Sequence, residues 1–216
     1  MDIKEEWRQL AEQLGFEFHE GIEALVTSPN LAKIACQEFP DKITDFEQFA
    51  SLLDHPFVRS LMGSVFTGMA VGKFQSFDFF LYKSSSSTDA NKQTSYVNTI
   101  LFFKNPYKLQ MELEAAGFFS LLGKKIFKRS AIITSNPRLE QMMVAKGEKK
   151  EEITALLSNT ELQSKLVELF SRSRGFKISD YGIRIKEPGK ITTKGRAEEL
   201  MTFMAETAKL FQPETG

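Results

Sequence analysis

Residues 63–84 read GSVFTGMAVGKFQSFDFFLYKS, and residues 96–114, after a polar interval, read YVNTILFFKNPYKLQMELE. Together they predict three or four neighbouring β-strands joined by turns. Leu109, Met111 and Leu113 alternate with Gln110, Glu112 and Glu114, so that strand has one dry and one wet face. In residues 74–82 the pattern changes. Phe77, Phe79 and Leu81 point one way and Phe74, Phe80 and Tyr82 the other, and residues 100–103 are also apolar on both faces. Such strands belong mid-sheet or under cover on both sides. The Phe residues are expected to be packed core, with a Phe-lined pocket for an apolar ligand as the alternative.

Composition fits this picture. The chain has 216 residues, 42% hydrophobic and 26% charged, a length that suits one domain or two small ones. There are 20 Phe against 4 Tyr and 1 Trp. Phe buries area without a polar atom to satisfy, which favours core over a wet recognition surface. Lys plus Arg number 28 and Asp plus Glu 28, so the net charge gives no pull toward nucleic acid or anionic lipid, and no nucleic-acid partner is expected. A single Cys36 cannot form an internal disulfide, and a reducing cytoplasm is the expected location. The N-terminal MDIKEEWRQL lacks the order of a signal peptide. No window approaches the length of apolar sequence that spans a membrane.

Residues 2–14 predict a helix with Trp7, Leu10, Ala11 and Leu14 on one face and Gly15 as its left-handed stop. A short extended piece follows at Phe16 and Phe18. Ser28-Pro29 and the Thr44/Glu47 spacing mark two further helix starts. Residues 1–62 are therefore expected to form a helical cap segment and residues 63–211 the body of a single domain over 1–216.

Gly63, Gly68 and Gly72 do not form a phosphate loop, because Met69 and Ala70 stand where GxxxxGK[ST] needs Lys and Ser or Thr after its second glycine. Turns or bulges within strands account for them. The interval 84–95, SSSSTDANKQTS, predicts an exposed polar hairpin loop, with a binding lid as the alternative. Residues 118–127 form an apolar stretch broken by Gly123 and ending in a basic cluster, Lys124, Lys125, Lys128 and Arg129, expected to be a solvated face because aromatic interleaving is missing, with a phosphate partner as the alternative. Residues 131–134 predict a strand. Asn136-Pro137 opens a helix carrying Leu139, Met142 and Met143. Ser158 with Glu161 has capping-box spacing before Leu162, Leu166, Leu169 and Phe170. Residues 176–185 predict a hairpin turning at Ser179-Asp180-Tyr181-Gly182. Residues 197–211 predict a closing helix with Leu200, Met201, Met204, Ala208 and Phe211 on one face.

The second half resembles a pattern found in uncharacterised bacterial proteins of the conserved hypothetical type. That pattern is a strand and Ser-Asn-Pro opening a helix (131–137), Leu-Leu-Ser with a capped helix (156–170), then a short strand, a turn, an isoleucine-alternating strand and a last helix (176–211). The glycine-rich opening of a sheet at 63–82 is similar too. The resemblance implies an α+β domain and carries no activity, cofactor or catalytic residue.

The candidate chemistry is sparse. His19 and His55 are the only histidines, too few with Cys36 for a zinc site without carboxylates. Asp54-His55-Pro56 is the candidate general base, against a turn or cap role for His55. Cys36 falls on the buried face of a short helix, away from the electropositive setting a reactive thiol needs. No GxSxG, HExxH, kinase signature or EF-hand loop is present, and no catalytic, cofactor-binding or metal-binding residue is assigned.

The expected fold is α+β, an antiparallel twisted sheet of about five to seven strands with helices packed mainly on one face. The expected function is a non-catalytic protein-interaction or scaffold domain, whose partner is another protein or a second copy of the chain. The alternative is binding of an apolar small molecule in a Phe-lined pocket. An unfamiliar enzyme centred on His55 is the third possibility.

Overall fold

The computed structural model describes residues 3–20, 68–89, 92–105, 107–116, 132, 134–172, 175–189 and 193–212. Among them, helix α1 (Ile3–Leu14) precedes strands β1 (Glu17–His19), β2 (Met69–Phe74), β3 (Phe77–Asp89), β4 (Lys92–Phe102) and β5 (Glu112–Ala115). Then come α2 (Pro137–Met142), β6 (Met143–Lys146), α3 (Lys150–Leu156), α4 (Thr160–Arg172), β7 (Phe176–Ser179), β8 (Gly182–Pro188) and α5 (Lys194–Phe211). The fold is α+β. Its antiparallel sheet has 8 strands in the order β1-β2-β3-β4-β8-β7-β5-β6, rather than about five to seven. The chain divides into two compact units, one of residues 1–72, 80–98 and 188–194, the other of residues 73–79, 99–187 and 195–216.

In the first unit, α1 buries Trp7, Leu10 and Ala11. Its end is a Schellman motif. Gly15 takes φ 69°, Phe16 N–H donates to Ala11 O at 2.8 Å, and Gly15 N–H donates to Glu12 O at 3.1 Å. The chain then enters β1, which pairs with β2 so that Phe18 faces Ala70. Gly72 sits under the Phe16 ring, where a Cβ would lie 2.2 Å from a ring carbon. This glycine serves close packing of an aromatic against backbone.

β3 and β4 run mid-sheet, and from Phe77 onward burial follows the two-sided apolar pattern; the run 74–82 is not one strand, because Gln75 and Ser76 turn the chain with φ 46° and 67° and half-buried Phe74 ends β2. Phe79, Phe80, Leu81 and Leu101 are fully buried, with Phe77, Tyr82 and Ile100 nearly so. Within the polar interval 84–95, the described residues are strand where a loop is expected. β3 continues to Asp89 and β4 begins at Lys92. Strand pairing satisfies backbone donors and acceptors whatever the side chains are, so a Ser- and Thr-rich sequence extends as strand where composition alone reads as loop.

In the second unit, the register sets Ala145, Leu113, Ile178 and Ile183 in one row across β6, β5, β7 and β8, and all four are buried. Phe176 pairs with Ile185 on the same face. There Phe170 of α4 meets Phe176 edge-on, with centroids 5.2 Å apart. Ile185 shares a small cavity with Leu169 of α4 and Phe203 of α5. Both helices therefore lie on one face of this part of the sheet. On the opposite face Lys177 bridges to Glu112 and, at 3.5 Å, to Glu114, which Lys146 approaches at 3.6 Å.

Several local expectations are corrected. The strand expected from Leu109 starts only at Glu112, because residues 109–111 fold around a side chain from the β7–β8 turn. Ile132 and Thr134 belong to no strand. Thr134 instead joins the start of α2, its N–H donating to the Glu140 carboxylate at 3.0 Å. Asn136 caps α2 as expected, accepting from Arg138 and Leu139 N–H, with Pro137 at the first helical position. Met143 leaves the helix for β6, since pairing with β5 overrides local preference there. The closing helix starts at Lys194, ahead of Ala197. The cap residue of α4 is Asn159, not Ser158. The Asn159 carboxamide oxygen accepts from Glu161 and Leu162 N–H at 3.0 and 3.1 Å, while the Ser158 hydroxyl donates back to Ala155 O. Asn159→Ala is expected to cost about 1 kcal/mol in urea unfolding and Ser158→Ala less than half of that, roughly. Equal losses would remove Asn159 from the cap.

Candidate functional site

The β7–β8 turn is held by both side-chain and backbone hydrogen bonds. Its first residue, Asp180, is 7% exposed. Its carboxylate accepts three successive backbone N–H groups: Leu109 and Gln110 on Oδ2 at 3.0 and 2.7 Å, and Met111 on Oδ1 at 2.9 Å. Gln110 adopts φ 50°, which turns these donors inward together. Consecutive N–H groups arranged this way make an anion-binding nest, here filled by the chain's own carboxylate. The turn backbone is held as well. Tyr107 N–H donates to Asp180 O and Phe103 N–H donates to Tyr181 O, each at 2.8 Å.

Behind the turn lies an aromatic cluster. Phe103 meets Tyr107 edge-on at 5.8 Å and Phe211 of α5 at 5.6 Å. The Tyr107 hydroxyl donates to Phe211 O at the end of that helix, and burial pushes the phenol above its ordinary value. Gln212 closes the same end, its amide donating to Asn105 O. On this fixed base stands Tyr181, 49% exposed, the large hydrophobic side chain left in solvent among the described residues.

A second cluster joins α4, α5 and β8. Arg172 contacts Glu168 at 2.7 Å and Glu199 at 3.3 Å; Arg196 contacts Glu187 at 2.7 Å and Glu199 at 3.0 Å. Hydrogen bonds donated to the Glu187 and Glu199 carboxylates raise the Arg196 guanidinium above its ordinary value. Lys165 pairs with Glu206 at 2.6 Å. Lys165 Nζ and Arg172 Cζ lie 4.3 and 4.9 Å from the centroid of the Phe203 ring. The cavity beside these groups measures about 20 Å³, room for a water molecule. The arrangement fastens two helices and a strand and leaves each of these cations facing a carboxylate.

No protein-family model matches the chain, and no curated protein matches it by sequence. A crystal structure of the mycobacterial trehalose monomycolate transport factor A, TtfA, is similar with a TM-score of 0.48 and 10% identity, over 97% of this chain and 94% of that one. So distant a likeness transfers no role to any residue.

His19 lies in β1 with its Nε2 3.5 Å from a Glu17 carboxylate oxygen. No group of three or more His, Cys, Asp or Glu side chains is placed to hold a metal among the described residues. Asp54-His55-Pro56, Cys36, Gly63, the helix starts at Ser28 and Thr44, and Lys124, Lys125, Lys128 and Arg129 lie outside the described residues. Phe77 and Phe79 are 4% and 0% exposed; Phe79 packs edge-on against Phe74 at 6.0 Å, and Lys104 Nζ lies 5.6 Å from the Phe77 ring centroid. Trp7 is fully buried, and its indole N–H has no acceptor among the described residues. Asp180 and Tyr181 register in the sequence only as turn chemistry. The sole signal for Tyr181 is an aromatic residue at a hairpin tip, where polar residues predominate.

The charged sheet face yields a pH prediction. Burial raises the Glu112 carboxyl, but the hydrogen bond it accepts from Lys177, one shared with Glu114, and the charges of Lys177 and Lys146 outweigh it, leaving the group below its ordinary 4.5. A carboxyl depressed by folding stabilises above its unfolded value and loses that contribution as pH falls through the folded one. Between about pH 5 and pH 3, Glu112→Gln should therefore flatten the acid decline of the urea midpoint. Parallel curves for the two proteins would contradict this.

Proposed function

We propose that the protein is a non-catalytic protein-interaction domain and that the β7–β8 turn is its contact point. The observation that supports this is Tyr181, a half-exposed aromatic on a turn whose backbone is fixed by Asp180. Tyrosine is enriched among residues that dominate binding energy, because its ring supplies large area at small entropic cost. A rigid turn lowers that cost further, since little remains to be ordered on binding. The proposed partner is a second copy of the chain, and the associated state is a homodimer.

Native mass spectrometry and sedimentation equilibrium test this together. The unmodified protein should show a dimer. Tyr181→Ala should shift it to monomer, weakening association about tenfold to a hundredfold, with an unchanged circular-dichroism spectrum. An unchanged dimer in the variant would overturn the role of Tyr181. A monomeric unmodified protein would overturn self-association. A discrete co-purifying apolar mass, retained by Tyr181→Ala, would replace the interaction reading with ligand binding near Phe77 and Phe79.

A further inference from the structure

We draw no further inference here: the strongest candidate, the cavity between α4, β8 and α5 beside Arg172, Arg196 and Phe203, has room for about one water molecule and has both guanidinium groups already paired with carboxylates of the same chain.

Discussion

Asp180→Ala is expected to destabilise the protein by about 3–5 kcal/mol, one of the two largest effects anticipated for a single substitution. Its carboxylate holds three backbone donors, two in buried and one in part-buried hydrogen bonds. Each bond to a charged group contributes about 1.5–3 kcal/mol, and a buried donor left without a partner costs about 1–3 kcal/mol. These figures do not add fully, because water reaches the Gln110 position once the side chain is gone. Asp180→Asn keeps one acceptor oxygen but sets an amide N–H₂ against backbone N–H, so an intermediate loss of about 2 kcal/mol is expected. Urea unfolding followed by circular dichroism measures both. A loss below about 1 kcal/mol for Asp180→Ala would mean that residues 109–111 hold their path without the carboxylate. The same variant bears on function: a loosened turn should weaken self-association even with Tyr181 intact.

Gly182→Ala should be comparably damaging for a different reason. A Cβ at this position would lie 2.0 Å from the Leu101 carbonyl oxygen and 3.1 Å from its carbon. The obstacle is backbone of the strand beside β8, so no side-chain rotation relieves it. Either β4 or β8 must move, and overpacking of this kind costs about 3 kcal/mol at the upper end of its usual range. Gly195→Ala is the internal control. It lies in the first turn of α5, and nothing stands within 4 Å of the place its methyl group would take. Replacing a helical glycine by alanine should stabilise by about 0.5 kcal/mol. Opposite signs at the two glycines, read from urea midpoints, would confirm that close backbone approach sets the requirement at 182. A neutral Gly182→Ala would contradict the spacing of β4 and β8 at Leu101.

Three short segments depart from their local pattern. Met143 carries a helical pattern with Leu139 and Met142, yet it pairs with Ala115 in β6. Leu109 and Met111 alternate as a strand would, yet their N–H groups go to Asp180, 71 and 69 residues away. Ser158 has capping-box spacing, yet Asn159 makes the cap. In the first two cases a partner distant in the chain takes the backbone groups that local pattern assigns elsewhere. In the third, two adjacent residues compete for the same donors and only geometry separates them.

What the sequence by itself determined is the α+β class, the two-sided burial of β3 and β4, the β7–β8 hairpin, the core face of α4 and part of those of α1 and α5, where Leu14 and Leu200 are only half-buried and Phe203, Ala205 and Thr207 join the buried side of α5. All of these depend on side-chain periodicity and local turn or cap chemistry, which neighbouring residues encode. Only the tertiary structure decided the strand order, the partners of Asp180, the cations over Phe203 and the exposure of Tyr181. Those depend on which distant segments meet, and a carboxylate or an aromatic ring in a turn has the same sequence signature whether it is buried, paired or presented to solvent.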